Sequence, residues 1–295
     1  MFTAGVQPNS QIESLVGGNP NLKEETSNTF TLGLVAKPRF IPGLNITLDY
    51  FNIEVEDYIT GLAGGTSGIL NACYYQVQDA NSQVCKAISR DPTTGVIGGA
   101  YVVKALTENI ATLKTSGIDL QVDYTKKVDF GLFGESSKFG LFFLGSWVDK
   151  ADFTGLNDLP NAITHCAGTF GTTCNGVFGD PVPEYRFTSR LTWTDGPLTT
   201  SIRLRHIGGS DNDKIVNKAN DPSSLTLDRL KPKNYVDLSF AYDLTDKISF
   251  TAGMNNVFNT KPQIIDDDND EQSSTYPSTY NPLGRDFFIS ARVGF

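Results

Sequence analysis

The chain has 295 residues, 39% of them hydrophobic and 11% aromatic, and a formal net charge of -9 at pH 7. That length suits one large all-β domain or two small ones, and no run of 18 apolar residues exists to build a membrane-spanning helix. The acidic balance and the lack of a basic stripe argue against nucleic acid as a partner.

Residues 1–25 show no clear strand pattern and are predicted to form an outer-side loop. Met1-Phe2-Thr3-Ala4-Gly5 lacks the basic start and apolar core of a signal peptide. Either such a segment has been removed or the chain is the tail of a longer one. Nine strands are predicted from there on, at about 26–37, 44–59, 109–125, 138–149, 184–194, 197–208, 233–243, 246–257 and 285–295. Phe30, Leu32, Leu34 and Ala36 alternate with Thr29, Thr31, Gly33 and Val35. Leu44, Ile46, Leu48 and Tyr50 alternate with Asn45, Thr47 and Asp49. The same period of two runs through Val236, Leu238, Phe240 and Tyr242, through Ile248, Phe250, Ala252 and Met254, and through Phe287, Ile289, Ala291, Val293 and Phe295. One apolar and one polar face per strand suits a sheet with lipid on one side and a wet lumen on the other, and a soluble sheet edge can show the same alternation. Segment 138–149 is less informative, because Leu141-Phe142-Phe143-Leu144 is apolar on both faces.

The connections alternate between short and long. The compact turns are 38–43, 195–196 and 244–245; long connections cover 60–108, 150–183, 209–232 and 258–284. In an up-and-down antiparallel sheet, alternate turns lie on the same rim. One rim should therefore carry tight turns and the other long loops, as in outer-membrane barrels. An odd strand count and the cost of open edges in hydrocarbon predict an incomplete set of strands from a larger barrel.

Four cysteines form two local pairs, Cys73 with Cys85 and Cys166 with Cys174. Both pairs lie in polar, glycine-containing segments between strands, which predicts loop disulfides in an oxidising compartment. Neither has the close spacing of a metal site. Arg186 and Arg190 share one strand face, as do Arg203 and Arg205. They are candidates for a charged lumen wall that meets a solute or an internal plug, and Arg292 and Asp237 are also on predicted inner faces; the plainer alternative is arginine and acid pairing across neighbouring strands. Tyr74, Tyr75, Tyr276 and Tyr280, in the long loops, are candidates for stacking on a sugar or a catecholate ring, with loop packing as the alternative. The acidic run Asp266-Asp267-Asp268-Asn269-Asp270-Glu271 lacks the spacing and central glycine of a calcium loop.

No GxGxxG on a βαβ unit, no P-loop and no HExxH is present, and His165 and His206 are far apart in sequence. Nothing shows the converging nucleophile, base and orienting group of a hydrolase. The expectation is a non-enzyme without cofactor or metal.

Three stretches resemble the TonB-dependent outer-membrane receptors. The first is Gly18-Asn19-Pro20-Asn21-Leu22-Lys23-Glu24-Glu25-Thr26-Ser27, followed by Pro42-Gly43-Leu44 and Leu48-Asp49-Tyr50-Phe51-Asn52-Ile53. The family usually has proline where this chain has Glu24. The second is Asn255-Asn256-Val257-Phe258-Asn259, and the third is Gly284-Arg285 leading to Phe295. The resemblance implies an all-β fold holding the last nine or ten strands of a 22-stranded up-and-down transmembrane barrel. It also implies a cell outer membrane location in a Gram-negative bacterium. The implied function is a share in TonB-energised uptake of a scarce ligand: a siderophore, cobalamin or an oligosaccharide. Implied partners are outer-membrane lipid, that ligand, an N-terminal plug with the remaining strands, and TonB through the plug. A passive porin or structural barrel is the alternative.

Overall fold

A computed structural model describes residues 12–179, 181–217, 227–265 and 274–294 of the chain. Its strands, in chain order, are β1 (Ser14–Gly17), β2 (Thr26–Ala36), β3 (Leu44–Gly61), β4 (Val103–Val128), β5 (Ser137–Thr154), β6 (Ile163–His165), β7 (Thr169–Phe170), β8 (Tyr185–Asp195), β9 (Leu198–Ile207), β10 (Ser210–Asn212), β11 (Arg229–Leu230), β12 (Lys233–Thr245), β13 (Ile248–Asn255) and β14 (Asp286–Val293). Short helices α1 (Thr66–Asn71), α2 (Gln83–Lys86), α3 (Thr172–Phe178) and α4 (Asp213–Val216) lie between them. None is long and apolar enough to cross a membrane. Phe295 and the acidic run at 266–271 lie outside the described residues.

The main sheet has the order β14-β13-β12-β9-β8-β5-β4-β3-β2. Each long strand therefore pairs with the one before and the one after it in sequence, the up-and-down order expected from the turns. The nine segments read from the sequence correspond to these nine strands. β4 and β5 run further than expected, beginning at Val103 and ending at Thr154 respectively. The segment 138–149, ambiguous by pattern, is the centre of β5. Within 1–25, Ser14–Gly17 adds a short parallel strand against Val103–Leu106 of β4. A small second sheet has the order β11-β10-β7.

Register fixes the faces, because directly opposed residues point the same way. On one side Leu191 faces Ile202, Ile202 faces Leu238, Leu238 faces Met254 and Met254 faces Phe287. On the other, Thr192 faces Ser201, Ser201 faces Ser239 and Ser239 faces Gly253. The apolar side is open to its surroundings: Ile202, Phe240, Phe250 and Ile289 are all exposed. A wall of exposed aliphatic and aromatic side chains across five strands is unfavourable in water and favourable in lipid. Rings mark both ends of this band. Tyr185, Phe187 and His206 stack near the long-loop rim, with Trp147 opposite Tyr185; Phe130, Phe139 and Trp193 stack near the short-turn rim. Tyr185 through Trp193 is nine residues of β8, within the roughly 9–11 that a tilted membrane strand needs.

Tight turns depend on local chemistry. Gly43 has φ +86°, and a Cβ there would fall 2.1 Å from the Thr125 carbonyl oxygen, which leaves glycine as the residue that fits. At the β8–β9 turn the buried Asp195 carboxylate accepts hydrogen bonds from the Leu132 and Phe133 amides, tying the 129–136 turn to its neighbour.

The chain divides into two compact units. One comprises Met1–Thr29, Ile53–Lys114 and Asp152–Thr164. Its described part has its own core, in which Leu62, Ile69, Val84, Ile97 and Val103 pack around the Cys73–Cys85 disulfide. The family-like Lys23 anchors within this unit: its amide donates to Asn109 Oδ1 at 2.8 Å, while Asn109 Nδ2 donates to the Lys23 and Asp57 carbonyls. The second unit comprises Phe30–Asn52, Thr115–Ala151 and His165–Phe295. It holds the registered wall from β5 to β14 and two loop clusters. Phe170, Leu230, Ile265, Tyr276 and Tyr280 form one, and Ala151 with the Cys166–Cys174 disulfide forms the other.

Candidate functional site

The polar faces of β8 and β9 carry the arginines, as their spacing predicts, and β12 beside them carries Asp237. Arg190 lies opposite Arg203, and Arg205 lies opposite Thr188 and Tyr235. Asp237 is the acid that organises the group. It is only 5% exposed, and its Oδ2 accepts from Arg203 Nε at 2.8 Å and from Arg205 Nε at 3.3 Å. Its Oδ1 accepts from the Asn256 amide at 2.8 Å. A carboxylate taken out of water is tolerated when its oxygens meet charged or strong donors, and here both do. Arg205 also lies over the Tyr235 ring, 5.2 Å from its centroid.

The donor on Asp237 explains part of the family-like Asn255-Asn256-Val257-Phe258-Asn259 run. Asn256 adopts φ +51°, a conformation asparagine tolerates better than most residues. Both ends of its side-chain amide are engaged: Oδ1 accepts from the Thr260 amide and Nδ2 donates to the Thr260 carbonyl. Asn259 Oδ1 accepts from the Arg285 amide, and Asn255 Nδ2 donates to Asp286 Oδ2 at 2.8 Å. The run thus closes a structured turn that joins β12, β13 and the start of β14. Sequence reasoning placed Asp237 on the inner face and singled out this run, but no spacing signal connected the two.

Arg186 and Arg190 differ from the paired arginines. Both are exposed, and among the described residues neither forms an ion pair with a carboxylate. Arg186 and Arg205 line a cleft of about 520 Å³ together with Asp119, Ser146, Ser278 and Thr279. A smaller recess of about 180 Å³ lies by Arg190, Arg203, Asp237 and Asn255. The larger cleft is in the size range of small-molecule sites. Its walls combine the Arg186 guanidinium, the Asp237-bound Arg205 and the Ser146, Thr188, Ser278 and Thr279 hydroxyls with the Asp119 carboxylate and apolar side chains such as Leu144 and Ile207, and the guanidinium and hydroxyls form a donor set suited to an oxygen-rich solute.

The loop tyrosines separate into two kinds. Tyr276 and Tyr280 are buried in the loop core, Tyr276 edge-on to Phe170 at 6.4 Å, and flank the cleft-lining Ser278 and Thr279. Tyr74 packs against the first unit's core, its hydroxyl accepting from Arg90 Nε at 3.0 Å with the Arg90 guanidinium over its ring. Tyr75 is exposed. Both disulfides are formed as the cysteine spacing predicts, Cys73–Cys85 with S–S 2.03 Å and Cys166–Cys174 with S–S 2.00 Å. His206 turns to the apolar face between two rings, its Nδ1 2.7 Å from Asn234 Oδ1. Among the described residues no three His, Cys, Asp or Glu side chains are placed to hold a metal ion.

Residues 1–257 match the family described as TonB dependent receptor-like, beta-barrel. No curated protein sequence matches the chain. Solved structures with similar architecture include a variant of the ferric enterobactin receptor of Pseudomonas aeruginosa, at 18% identity and TM-score 0.56, covering 95% of this chain and 32% of that one. The siderophore receptor PirA of Acinetobacter baumannii aligns at 16% identity and TM-score 0.54, covering 95% and 33%. The FrpB iron transporter of Neisseria meningitidis aligns at 16% identity and TM-score 0.55, again covering 95% and 33%. At these identities the likeness is one of fold. The chain spans about a third of the length of the structures it matches.

Proposed function

We propose that this chain, which belongs to the TonB-dependent receptor β-barrel family, supplies part of the barrel wall of an outer-membrane receptor for TonB-energised uptake of an anionic, oxygen-rich ligand. A ferric siderophore fits the description best. The observation that carries this reading is the contrast among the four wall arginines. Asp237 binds both Arg203 and Arg205 and offsets one of their two charges, whereas Arg186 and Arg190 keep exposed guanidiniums on the polar face with no carboxylate partner among the described residues, and Arg186 lines the cleft beside Arg205. A wall that needed only to fill itself would pair its charges; exposed forks beside a cleft favour a chelate with carboxylate or catecholate oxygens. The receptor, siderophore-receptor and iron-transporter names of the structural neighbours support the same ligand class.

In this reading the long loops 60–108, 150–183, 209–232 and 258–284 form the outer side, where a rigid scaffold positions binding residues, and Tyr75 is available for stacking. The plug, the other strands and TonB act through a longer receptor. The alternative is a passive or structural barrel. Uptake of radiolabelled ferric siderophores, cobalamin and oligosaccharides by cells expressing that receptor separates the two. Energised uptake is expected for a ferric siderophore, with an Arg186→Ala, Arg190→Ala double variant binding it about tenfold or more weakly. Uptake that persists without TonB would favour the passive barrel, and TonB-dependent uptake that ignores both arginines would remove them from the ligand-binding wall.

A further inference from the structure

The short-turn rim differs in chemistry from the remainder of this acidic chain. Phe40, Leu132 and Leu244 are exposed at its turns, Leu132 and Phe40 by 74% and 84%. The 129–136 turn folds toward the apolar side of the sheet. Phe130 stacks on Trp193 with ring centroids 6.5 Å apart, and Phe133 meets Tyr242 edge-on at 6.0 Å. Three contacts hold it there: Asp195 receives the Leu132 and Phe133 amides, and Ser137 Oγ donates to the Phe130 carbonyl at 2.7 Å. The turn therefore continues the apolar band past the end of the strands.

Cations surround this apolar edge. Lys37, Arg39, Lys126, Lys127 and Lys247 are all exposed there, and among the described residues none forms an ion pair. Lys126 follows Ile118, Leu120, Val122 and Tyr124 at every second position of β4, so it shares their apolar face, while Lys127, one residue on, stands on the polar face at the same rim. Nearby acids do not cancel the group: counting residues 37–43, 126–138, 195–197, 243–247 and 292, cations exceed carboxylates by two, against -9 for the whole chain.

We infer that this rim is a collar that binds anionic phospholipid headgroups of the facing membrane leaflet. The inference rests on the membrane-wall reading above. Apolar turn residues enter the acyl boundary, while lysine and arginine stems lie along the apolar surface and place their charges at headgroup level. Two features select lipid over a peptide or second protein as occupant: the patch is continuous with the lipid-facing band, and its charge complements an anionic headgroup.

The chain contains two tryptophans, and Trp193 lies beneath Phe130 at this rim. The test uses the full chain with Trp147→Phe, refolded into phosphatidylcholine vesicles containing equal fractions of brominated phosphatidylglycerol or brominated phosphatidylcholine. Brominated phosphatidylglycerol should quench Trp193 with about threefold or greater preference, the order expected for a net cation at an anionic surface. A Lys37→Gln, Arg39→Gln, Lys126→Gln, Lys127→Gln variant should lose the preference. Asp129→Asn should raise it, which keeps the test intact if the quadruple variant does not fold. A Trp193→Phe chain, reporting from Trp147 near the opposite rim, should show no preference. Equal quenching of Trp193 by both lipids would overturn the collar. No quenching by either, in a chain whose heat-modifiable gel mobility shows it folded, would overturn the wall reading as well. Failure of siderophore uptake with the lipid preference intact would count against the transport proposal alone.

Discussion

The wall from β8 to β14 and the disulfide-linked core within residues 53–114 of the first unit are stabilised by different physics. In the wall, few side chains are buried within the protein; cross-strand ladders satisfy the backbone, and an exposed apolar face looks to lipid. In the loop unit, Leu62, Ile69, Val84 and Val103 are almost fully buried around Cys73–Cys85, as in a small water-soluble domain stapled by a disulfide. One chain thus combines a sheet that requires hydrocarbon with a core that requires water around it. The wall should fail when its outward face is charged, and the loop unit when its staple is cut, each without the other.

The largest expected effect is a charge on the apolar face. Ile202→Arg, at mid-strand on the face shared by Leu191 and Leu238, should cost roughly 2–4 kcal/mol of folding free energy in vesicles. Thr251→Arg, on the polar face opposite Ser290, should cost less than about 1 kcal/mol. Urea titration of the two variants in the same vesicles measures the difference, and equal costs would break the assignment of faces.

Removing the Cys73–Cys85 staple comes next. It closes a loop with a sequence separation of 12, so Cys73→Ala with Cys85→Ala should destabilise the loop unit by about 3 kcal/mol on the chain-entropy account. Protease cutting within 62–88 should accelerate while the wall's heat-modifiable mobility is unchanged. Simultaneous loss of both would show that the two regions are not independent.

Asp237→Ala probes the join between wall and site. It leaves Arg203, Arg205 and the Asn256 amide without their shared acceptor. Breaking a fully buried pair costs about 3–5 kcal/mol, but these guanidiniums are about a third exposed, so about 2 kcal/mol is expected from urea titration. Replacing Arg190, which has no such acceptor, should change stability by less than about 0.5 kcal/mol.

The sequence carried the wall well because period-two alternation is a property of every strand, read locally, and because tight turns such as Asp195-Gly196 have recognisable chemistry. It carried little of the loop unit beyond the cysteine pair, since α1, α2 and the buried Ile69 and Val84 depend on contacts across separate segments. The site was half legible. Arg186, Arg190, Arg203 and Arg205 were placed on one face by parity alone. Which two are paired depends on Asp237, about 30 residues further on, and on Asn256, whose backbone amide leaves no mark in composition. Tyr276 and Tyr280 illustrate the same limit, because nothing in a loop sequence distinguishes a tyrosine that closes a core from one that faces a solute.

The smallest expected effect concerns pH and is read in the loop unit. The Asp91 carboxyl lies below the ordinary carboxylate range because the backbone amides of Thr94 and Thr93 donate to it. A carboxyl whose folded-state pKa is depressed stabilises the fold above its unfolded value, and that contribution is lost as pH falls through the folded value. Hydrogen exchange at the Thr93 and Thr94 amides should therefore show reduced protection on acidification below the ordinary aspartate range, after correction for intrinsic rates. Unchanged protection at Thr93 and Thr94 would remove the carboxylate from the account of that turn.

The central claim, that one face of this sheet meets lipid and the other a wet lumen, is tested most directly by spin-label scanning of β9 in vesicles. Labels at each position from Leu198 to Ile207 should show oxygen accessibility peaking at Leu198, Thr200, Ile202 and Leu204. Accessibility to a polar nickel complex should peak at Thr199, Ser201, Arg203 and Arg205. Matching profiles with no period of two would contradict the account.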